Sequence, residues 1–437
     1  GRPLSGDRRS REGVSSHSNQ DCAAVAGSQR PLRRTSGLFS SSVVTSTVIE
    51  PGSVLGVLGG GQLGALFTRA AARHGYRVAV WDPDRDAPAH RLAAHSFATP
   101  FTDRETLTRF VSAVSAVTYE WENVPAQLCE QIESQRPVRP SGGVLRSIQN
   151  RLVQKRFLAG HGFPVPRFAP LTDPNDLPDL VREVGCPAIC KTAMAGYDGK
   201  GQWRINEPSA VPRLIPSVQA SALPGMQWIV EACVAFEREL SILVARGVDG
   251  EVIVFPLVEN EHEQGILRTT LVPAMVPSGV AERAETLARA VIERMDGVGL
   301  FCLELFLLPD AVVLINEVAP RPHNSGHYTL DACSLSQFEQ QVRAVCGLPP
   351  EPVRLLRPAA MVNLIGNDIE TIKQDAECQR LLGLPGVFIH DYGKRETRPR
   401  RKMGHVTFLA QDRDIARERA ELFHRRLLHA IGNHDGR

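Results

Sequence analysis

The sequence predicts a mixed α/β and α+β protein: a doubly wound unit leads, a strand-dominated unit follows, and a small β-rich unit closes the chain. Three observations carry that prediction. SVLGVL, the glycine turn GGGQLG, the helical pattern ALFTRAAARHG and the strand YRVAVWD follow one another as in a doubly wound parallel sheet. From Asn150 the texture changes to one helix, RLVQKRFLAGHG, a proline-rich link, FPVPRFAP, and then strands with few helices between them. Beyond PPEP near residue 350, AAMVNLIG, GVFIHDYGK and GHVTFLA read as further strands. The expected divisions are an extension over residues 1–48, then units over 49–149, 150–350 and 351–437.

Bulk properties narrow the function classes. A chain of 437 residues has room for about three domains with sizeable cores. Hydrophobic residues make up 43% and charged residues 22%, the balance of a globular protein. With 50 basic against 48 acidic side chains there is no general field to hold a nucleic acid or an anionic membrane, so any anion site must be local. No segment approaches the roughly 20 apolar residues needed to span a bilayer. The 9 cysteines are scattered, and the closest pair, Cys186 and Cys190 in CPAIC, has no matching second pair, which argues against zinc and for reduced thiols in a cytosol-like compartment. Residues 1–48 are rich in serine and arginine and contain no lysine, the composition of a disordered segment. They read either as a transit-like segment, against which Asp7, Glu12 and Asp21 weigh, or as an extension upstream of the true start.

The chemistry concentrates in ELFLLPDAVVLINEVAPRPHNSGH. VGLFCLEL and VVLINEV read as strands joined by a tight turn, and a hairpin closing around Asp310-Ala311 sets Glu304 directly opposite Glu317 on one face. Two carboxylates held that close repel, and a divalent cation such as Mg²⁺ converts the repulsion into a binding site. The competing reading is a surface hairpin with two solvated glutamates. Against it, Asn316, Arg321, His323 and Asn324 crowd the same stretch, too polar and varied for a core or a simple turn.

GGGQLG satisfies the dinucleotide fingerprint, with Asp82 placed 18 residues past its last glycine as a ribose-binding acid. Exposed amides at a helix N-terminus hold any phosphate, however, so a nicotinamide and a phosphorylated substrate both stay open. The second glycine loop, AGYDGKGQ, follows a strand ending in Lys191 and lacks Walker spacing; with Lys191 and Lys200 it can fold over a triphosphate, or be an ordinary hairpin. Glu231 and the backbone after it are candidates to read an adenine amino group, and Glu239 to hold ribose hydroxyls, although isolated acids are commonly surface residues. KRETRPRRK, residues 394–402, packs six basic groups around one acid without the aromatics that stack bases, which favours a pocket for one phosphate over a nucleic-acid patch. HEQGILR, with His262 and Arg268, and YEWEN, with Glu120, Glu122 and Asn123, are polar clusters without an assigned role on pattern alone. In AERAETLARAVIERM the stripe Ala284, Leu287, Ala288, Val291, Ile292 and Met295 reads as packing.

In order, GGGQLG, YEWENVP, NRLVQK, AGYDGKGQ, ENEHEQGILRT, INEVAPRPHNSGH and RPRRKMGH resemble the 5-(carboxyamino)imidazole ribonucleotide synthase family of ATP-grasp enzymes, over about residues 53–410. The resemblance implies an ATP-grasp fold preceded by a Rossmann-like pre-ATP-grasp domain. It also implies a carbon–nitrogen ligase of purine biosynthesis that uses ATP, Mg²⁺ and bicarbonate to carboxylate the amine of 5-aminoimidazole ribonucleotide through carboxyphosphate. On this likeness Glu304 and Glu317 hold the metal. Arg151, Lys191, Gly196, Tyr197, Asp198, Gly199, Lys200, Gly201, Gln202, Glu231, Ala232, Cys233, Val234, Glu239, His262, Asn316 and Glu317 bind ATP. Gly61, Gln62 and Leu63 meet the imidazole ribonucleotide, Glu122 its ribose, and Lys394, Arg401 and Lys402 its phosphate. Arg321, His323 and Asn324 face the reacting carboxyl group, Arg321 holding bicarbonate and His323 accepting the amine's proton. Ala195 departs from the glycine usual before GYDGKGQ. The likeness further implies a homodimer, and since the chain ends without the mutase domain that some relatives carry fused, a separate mutase is expected to act next; charge balance, the lack of a long apolar segment and the cysteine usage predict no nucleic-acid or membrane partner and a cytoplasmic location, with organellar targeting by residues 1–48 left open. Three alternatives stay open: another ATP-grasp enzyme such as a biotin carboxylase or formate-dependent transformylase, a nicotinamide oxidoreductase resting on GGGQLG and Asp82, and an RNA-binding module resting on KRETRPRRK.

Overall fold

Strands buried on both faces need helices on both sides, and the first unit supplies them. The computed structural model describes residues 48–194, 201–221 and 225–435. Here β1 (Val54–Leu58), α1 (Gln62–Arg73), β2 (Arg77–Trp81), β3 (His95–Phe97), α2 (Arg104–Ala113), β4 (Ala116–Tyr119), α3 (Ala126–Glu133) and α4 (Gly142–Gln149) build a parallel sheet of order β3-β2-β1-β4. Leu55, Val57, Val78 and Val80 pack on one side with α1. Leu58, Trp81, Val117 and Tyr119 pack on the other around Phe110 of α2.

α5 (Arg151–Gly160) leads into a second, antiparallel sheet of order β5-β8-β6-β7. It contains β5 (Phe168–Leu171), α6 (Leu177–Val184), β6 (Ala188–Thr192), β7 (Gln202–Ile205), α7 (Val211–Ala220) and β8 (Trp228–Ala232), with a core of its own that includes Leu171, Val181, Trp228 and Val230. The main sheet then forms from β9 (Arg238–Arg246), β10 (Val252–Val254), β11 (Val258–Glu263), β12 (Ile266–Val272), β13 (Gly299–Leu307) and β14 (Val313–Ala319). Between β12 and β13 runs α8 (Ser278–Met295), and its expected stripe packs under the sheet: Ala284, Ala288, Val291 and Ile292 are buried, with Leu287 and Met295 against the same core. After β14 come α9 (Thr329–Ala332) and α10 (Gln337–Cys346), and Phe338, Val342 and Val345 of α10 close the α1 side of the first sheet.

β15 (Ala359–Ile365), α11 (Asp368–Gln374), α12 (Ala376–Leu382), β16 (Val387–Asp391), β17 (Lys402–Leu409) and α13 (Arg413–Asp435) complete the chain. The three strands expected from the sequence are there, and three helices come with them. β15 pairs with β12, so these strands extend the main sheet to the order β14-β13-β9-β11-β12-β15-β17-β16, with β10 on β9. α13 lies against β15 through Ala416, Ala420, Phe423 and Leu427, a stripe spaced four, three and four residues apart. Among the described residues no helix is long and apolar enough to cross a membrane.

Candidate active site

The hairpin of β13 and β14 sets the centre. Its turn is Pro309–Asp310–Ala311, closed by Leu308 N–H donating to the Val312 carbonyl (2.9 Å), with Ala311 left-handed at φ 63°. That centres the turn on Asp310, half a residue from the expected position, and pairs Leu307 with Val313 and Leu305 with Ile315. A β-bulge at Asn316 adds one residue to β14, and Glu304 comes to lie opposite Glu317 as the sequence predicted. The bulge has a second effect. Ile315 and Val318 both enter the core, and the two residues between them, Asn316 and Glu317, both face a cleft of about 520 Å³.

Into that cleft the first unit sends Gly61, Gln62 and Leu63 from the start of α1, and Glu120 to Asn123 from the loop after β4. Arg151 heads α5, Lys191 lies one residue before the end of β6, and Gln202 opens β7 on the wall. Glu239, His262, Glu304, Phe306, Arg321, His323, Asn324 and Lys402 complete the predicted set that lines it, Phe306 excepted, which the sequence reading did not single out. Gly196, Tyr197, Asp198, Gly199 and Lys200 lie outside the described residues.

Opposed Glu304 and Glu317 titrate against each other. Burial, and then the charge of Glu304, raise the Glu317 carboxyl above its ordinary range. Glu304 also suffers burial, but His323 Nε2 at 2.9 Å holds it ionised, down to about 2. Conversely, against the burial that would lower it, the Cys302 sulfur and then Glu304 raise His323 to about 10, and Ser325 Oγ lies 2.8 Å from its other nitrogen. Asn316 Nδ2 reaches Glu304 Oε2 at 3.4 Å. The oxygens of two crowded carboxylates, with the Asn316 amide beside them, fit a hard divalent cation of the Mg²⁺ type.

Arg321 is paired in a fork with Glu122, one contact at 2.8 Å and a shorter one through Nε. Although burial opposes ionisation, that guanidinium holds the Glu122 carboxyl down to about 2. Asn324 is 8% exposed, and neither polar atom of its amide has a protein partner among the described residues. An amide buried on a cleft wall without a partner asks for a ligand or water.

Glu231 does not face the cleft. Its carboxylate is buried between Lys191 (2.5 Å) and Lys155 (3.1 Å), so it fixes the lysines instead of presenting itself to an adenine; Ala232, Cys233, Val234 and Gly201 likewise lie off the described cleft wall. Glu239 and His262 pair with each other across β9 and β11. Beside them Phe306 stacks on Phe236, rings 4.9 Å apart and 4° from parallel.

The glycine turn departs from the sequence reading. Gly61 N–H and Gly64 N–H donate to the two oxygens of Glu120 (2.5 and 2.7 Å), and Gly60 N–H donates to Asp82 (2.6 Å). The amides that a pyrophosphate would use are taken, and the acid expected on a ribose is one of the takers, which removes the nicotinamide reading. The glycines are needed all the same. A Cβ at Gly59, where φ is +98°, would sit 2.4 Å from Glu120 Cγ, and one at Gly61 2.6 Å from its Oε1. Burial raises the Glu120 carboxyl against the pull of those amides. Nothing near the turn in sequence announces Glu120, which the polar run YEWEN flagged only as a cluster.

KRETRPRRK folds over this end of the cleft. Lys394 Nζ donates to Gln62 Oε1 and to the Lys402 carbonyl (both 2.6 Å), joining β17 to the start of α1. Arg395 pairs with Asp86, Arg398 with Glu396, and Arg401 donates to the Glu396 carbonyl (2.8 Å); Arg395, Arg398 and Arg400 are exposed, and Arg401 is not on the cleft wall. Behind Lys394, Asp331, His390 and His405 bring one ligating atom each within 4.8 Å of one another. The rings of His390 and His405 are stacked at 4.4 Å and 14°, however, so their lone pairs run side by side and cannot converge on one ion lying in both ring planes. The stack instead supports Tyr392, whose hydroxyl is 2.9 Å from His405 Nδ1 and whose ring lies under Lys394.

Three family models match this chain in the same order as its units: a ribonucleotide synthetase preATP-grasp domain over residues 53–149, an ATP-grasp domain over 156–338, and a phosphoribosylaminoimidazole carboxylase C-terminal domain over 359–419. The N5-carboxyaminoimidazole ribonucleotide synthase of Bacillus subtilis (strain 168) is 38% identical over 371 residues, 85% of this chain and 95% of that protein. The chain belongs to the N5-carboxyaminoimidazole ribonucleotide synthase family. The family member from Brucella melitensis biotype 1 is also 38% identical, over 83% of this chain and 97% of that protein. Among solved structures, the Staphylococcus aureus synthetase complexed with ADP superposes with a TM-score of 0.80 at 32% identity, covering 86% of this chain and 98% of that one. The Aspergillus clavatus synthase in complex with ADP and 5-aminoimidazole ribonucleotide superposes at 0.76 and 31%, covering 87% and 99%. Membership in this synthase family fixes the ATP-grasp architecture: a pre-ATP-grasp domain, the grasp itself, and a C-terminal domain that here shares the main sheet.

Proposed function

We propose that this chain carboxylates the amine of 5-aminoimidazole ribonucleotide, using ATP and bicarbonate, to give 5-(carboxyamino)imidazole ribonucleotide in purine biosynthesis. The observation that carries the reading is the meeting, in one cleft, of opposed Glu304 and Glu317, the Arg321–Glu122 pair, the unpartnered Asn324 amide and the Gln62–Lys394 contact. A relative complexed with ADP and 5-aminoimidazole ribonucleotide supports both substrates.

Bicarbonate oxygen attacks the γ-phosphorus of ATP, ADP leaves, and carboxyphosphate forms; its loss of inorganic phosphate releases CO₂, to which the amine adds through a new N–C bond while giving up one proton. Mg²⁺, held by Glu304 and Glu317, would supply charge neutralisation at the transferring phosphoryl. Lys191, fixed from behind by Glu231, reaches the phosphates from the β6 side. Arg321, held flat by its fork to Glu122, presents its remaining surface to a planar carboxylate, and Asn324 adds an amide beside it. His323 has both ring nitrogens engaged, with Glu304 and Ser325, so it suits donation to an oxygen better than the proton-accepting role first expected of it. Gln62, Lys394 and Lys402 take the ribonucleotide end. The same reading carries a cytoplasmic homodimer whose product is the substrate of a mutase step.

An ADP-release assay with Mg²⁺ tests it. ADP should appear at an appreciable rate only when bicarbonate and 5-aminoimidazole ribonucleotide are both present. ADP release driven by bicarbonate with a different acceptor, and indifferent to the ribonucleotide, would assign the chain to another ATP-grasp activity.

A further inference from the structure

Among the described residues β14 is an edge of the main sheet, so the backbone groups on its outer side have no strand there to pair with. Side chains and a loop fill them. Gln154 Nε2 donates to the Val318 carbonyl (3.0 Å), and its Oε1 accepts from Val318 N–H (3.0 Å). Lys155 Nζ donates to the Ile315 carbonyl (3.4 Å), while Ile315 N–H donates to the Pro164 carbonyl (2.8 Å). In a regular strand the outward-facing groups recur at every second residue. Ile315 and Val318 are three apart, and the additional residue is Asn316 of the bulge. The two side chains of α5 therefore match the bulged register, and a straightened β14 would lose one end of the match. Pinned on both sides, the dipeptide Asn316-Glu317 has its two side chains on the cleft face together. Lys155 does a second thing: it pairs with one oxygen of Glu231 while Lys191 pairs with the other, which ties Lys191 to the same edge.

Gln154 and Lys155 are 5% and 3% exposed and do not line the cleft. Closing a strand edge with a buried ammonium is costly, since burial lowers the pKa of Lys155 against the pull of Glu231. We propose that Gln154 and Lys155 are positioning residues for the divalent-ion site, clamping the outer edge of β14 so that the bulge presents Asn316 and Glu317 to one ion and sets Lys191 beside it. The proposal rests on the reading that Glu304 and Glu317 hold that ion.

Mn²⁺ binding to the ADP-bound protein, followed by the paramagnetic resonance signal of free Mn²⁺, separates the two claims without turnover. Glu317→Gln should abolish Mn²⁺ binding. Gln154→Met should weaken it about tenfold while metal-free ADP binding stays within twofold, and Lys155→Met should weaken it about tenfold and ADP binding with it, because Lys191 is released as well; if Gln154→Met proves insoluble, the shorter but still polar Gln154→Asn reads the same way. A role in packing alone lowers the melting temperature and leaves Mn²⁺ affinity at the wild-type value, and that result overturns the clamp. Undiminished Mn²⁺ binding in Glu317→Gln instead overturns the ion reading beneath it.

Discussion

Glu231 shows how a single carboxylate organises the phosphate side of the cleft. It is 4% exposed, and although burial opposes its charge, Lys191 and then Lys155 hold its carboxyl down to about 2. A carboxyl depressed from about 4.3 in the unfolded chain stabilises the fold fully above that value and loses the contribution as pH falls towards 2. Glu122, held to about 2 by Arg321, behaves with the same sign. The part of the stability that Glu231 supplies, read as the difference between wild type and Glu231→Gln in urea unfolding, should therefore stay level from pH 7 to about 5 and shrink below about 4.5. Glu231→Gln leaves two lysines facing a neutral amide, at a cost of about 3 kcal/mol near neutral pH, and should flatten part of the acid limb of the stability profile. An acid limb of unchanged steepness in the variant would show that the ion pairs are not what holds this region together.

At the scale of the element, the hairpin and the glycine turn divide what was legible in the sequence from what was not. Apolar alternation either side of PDA located the strands, and that alone brought Glu304 opposite Glu317. The register was reached by two offsets that cancel, a three-residue turn and a bulge. The cue for the bulge was present: Asn316 and Glu317 are two consecutive polar residues between core residues Ile315 and Val318, which strict alternation cannot accommodate. In the glycine turn the local pattern was right, strand then turn then helix, but its amides are filled by Glu120 from a distant strand end, and no local signal reports such a partner. The hairpin offers a direct test. Ala311 sits in the left-handed region at φ 63°, where a Cβ is unfavourable and glycine is not. Ala311→Gly should raise unfolding free energy by about 0.5–1 kcal/mol, after the larger entropy of an unfolded glycine is set against the relieved strain. ADP release should not change, because the turn lies at the far end of the hairpin from Glu304. A loss of stability in urea titration would mean that the turn is not strained.

For the whole molecule, the order of units could be read along the chain, whereas the joining of the middle and last units in one sheet could not. β12 and β15 meet in register from Thr269 opposite Val362 to Val272 opposite Ala359, and a pairing between segments so distant leaves no mark on either one's local pattern. Buried Arg268 locks the seam. From β12 it donates to the Asn363 carbonyl (2.9 Å), to Asp368 at the start of α11 (2.8 Å) and to His424 of α13 (2.9 Å). The sequence set Arg268 aside as one member of a polar cluster, because its partners come from β15, α11 and α13, beyond any motif. Peeling the C-terminal strands away would expose the β12 edge that carries buried Leu271, next to the β11 strand bearing His262. The C-terminal unit and the nucleotide wall should therefore melt together. Arg268→Met, which strands the buried Asp368 carboxylate, should cost about 3 kcal/mol and lower one common transition seen by both circular dichroism and the fluorescence of a bound ADP analogue. Separation of the two signals, with secondary structure lost while the analogue stays bound, would show that the last three strands are an independent module and that the shared sheet does not couple them to the cleft.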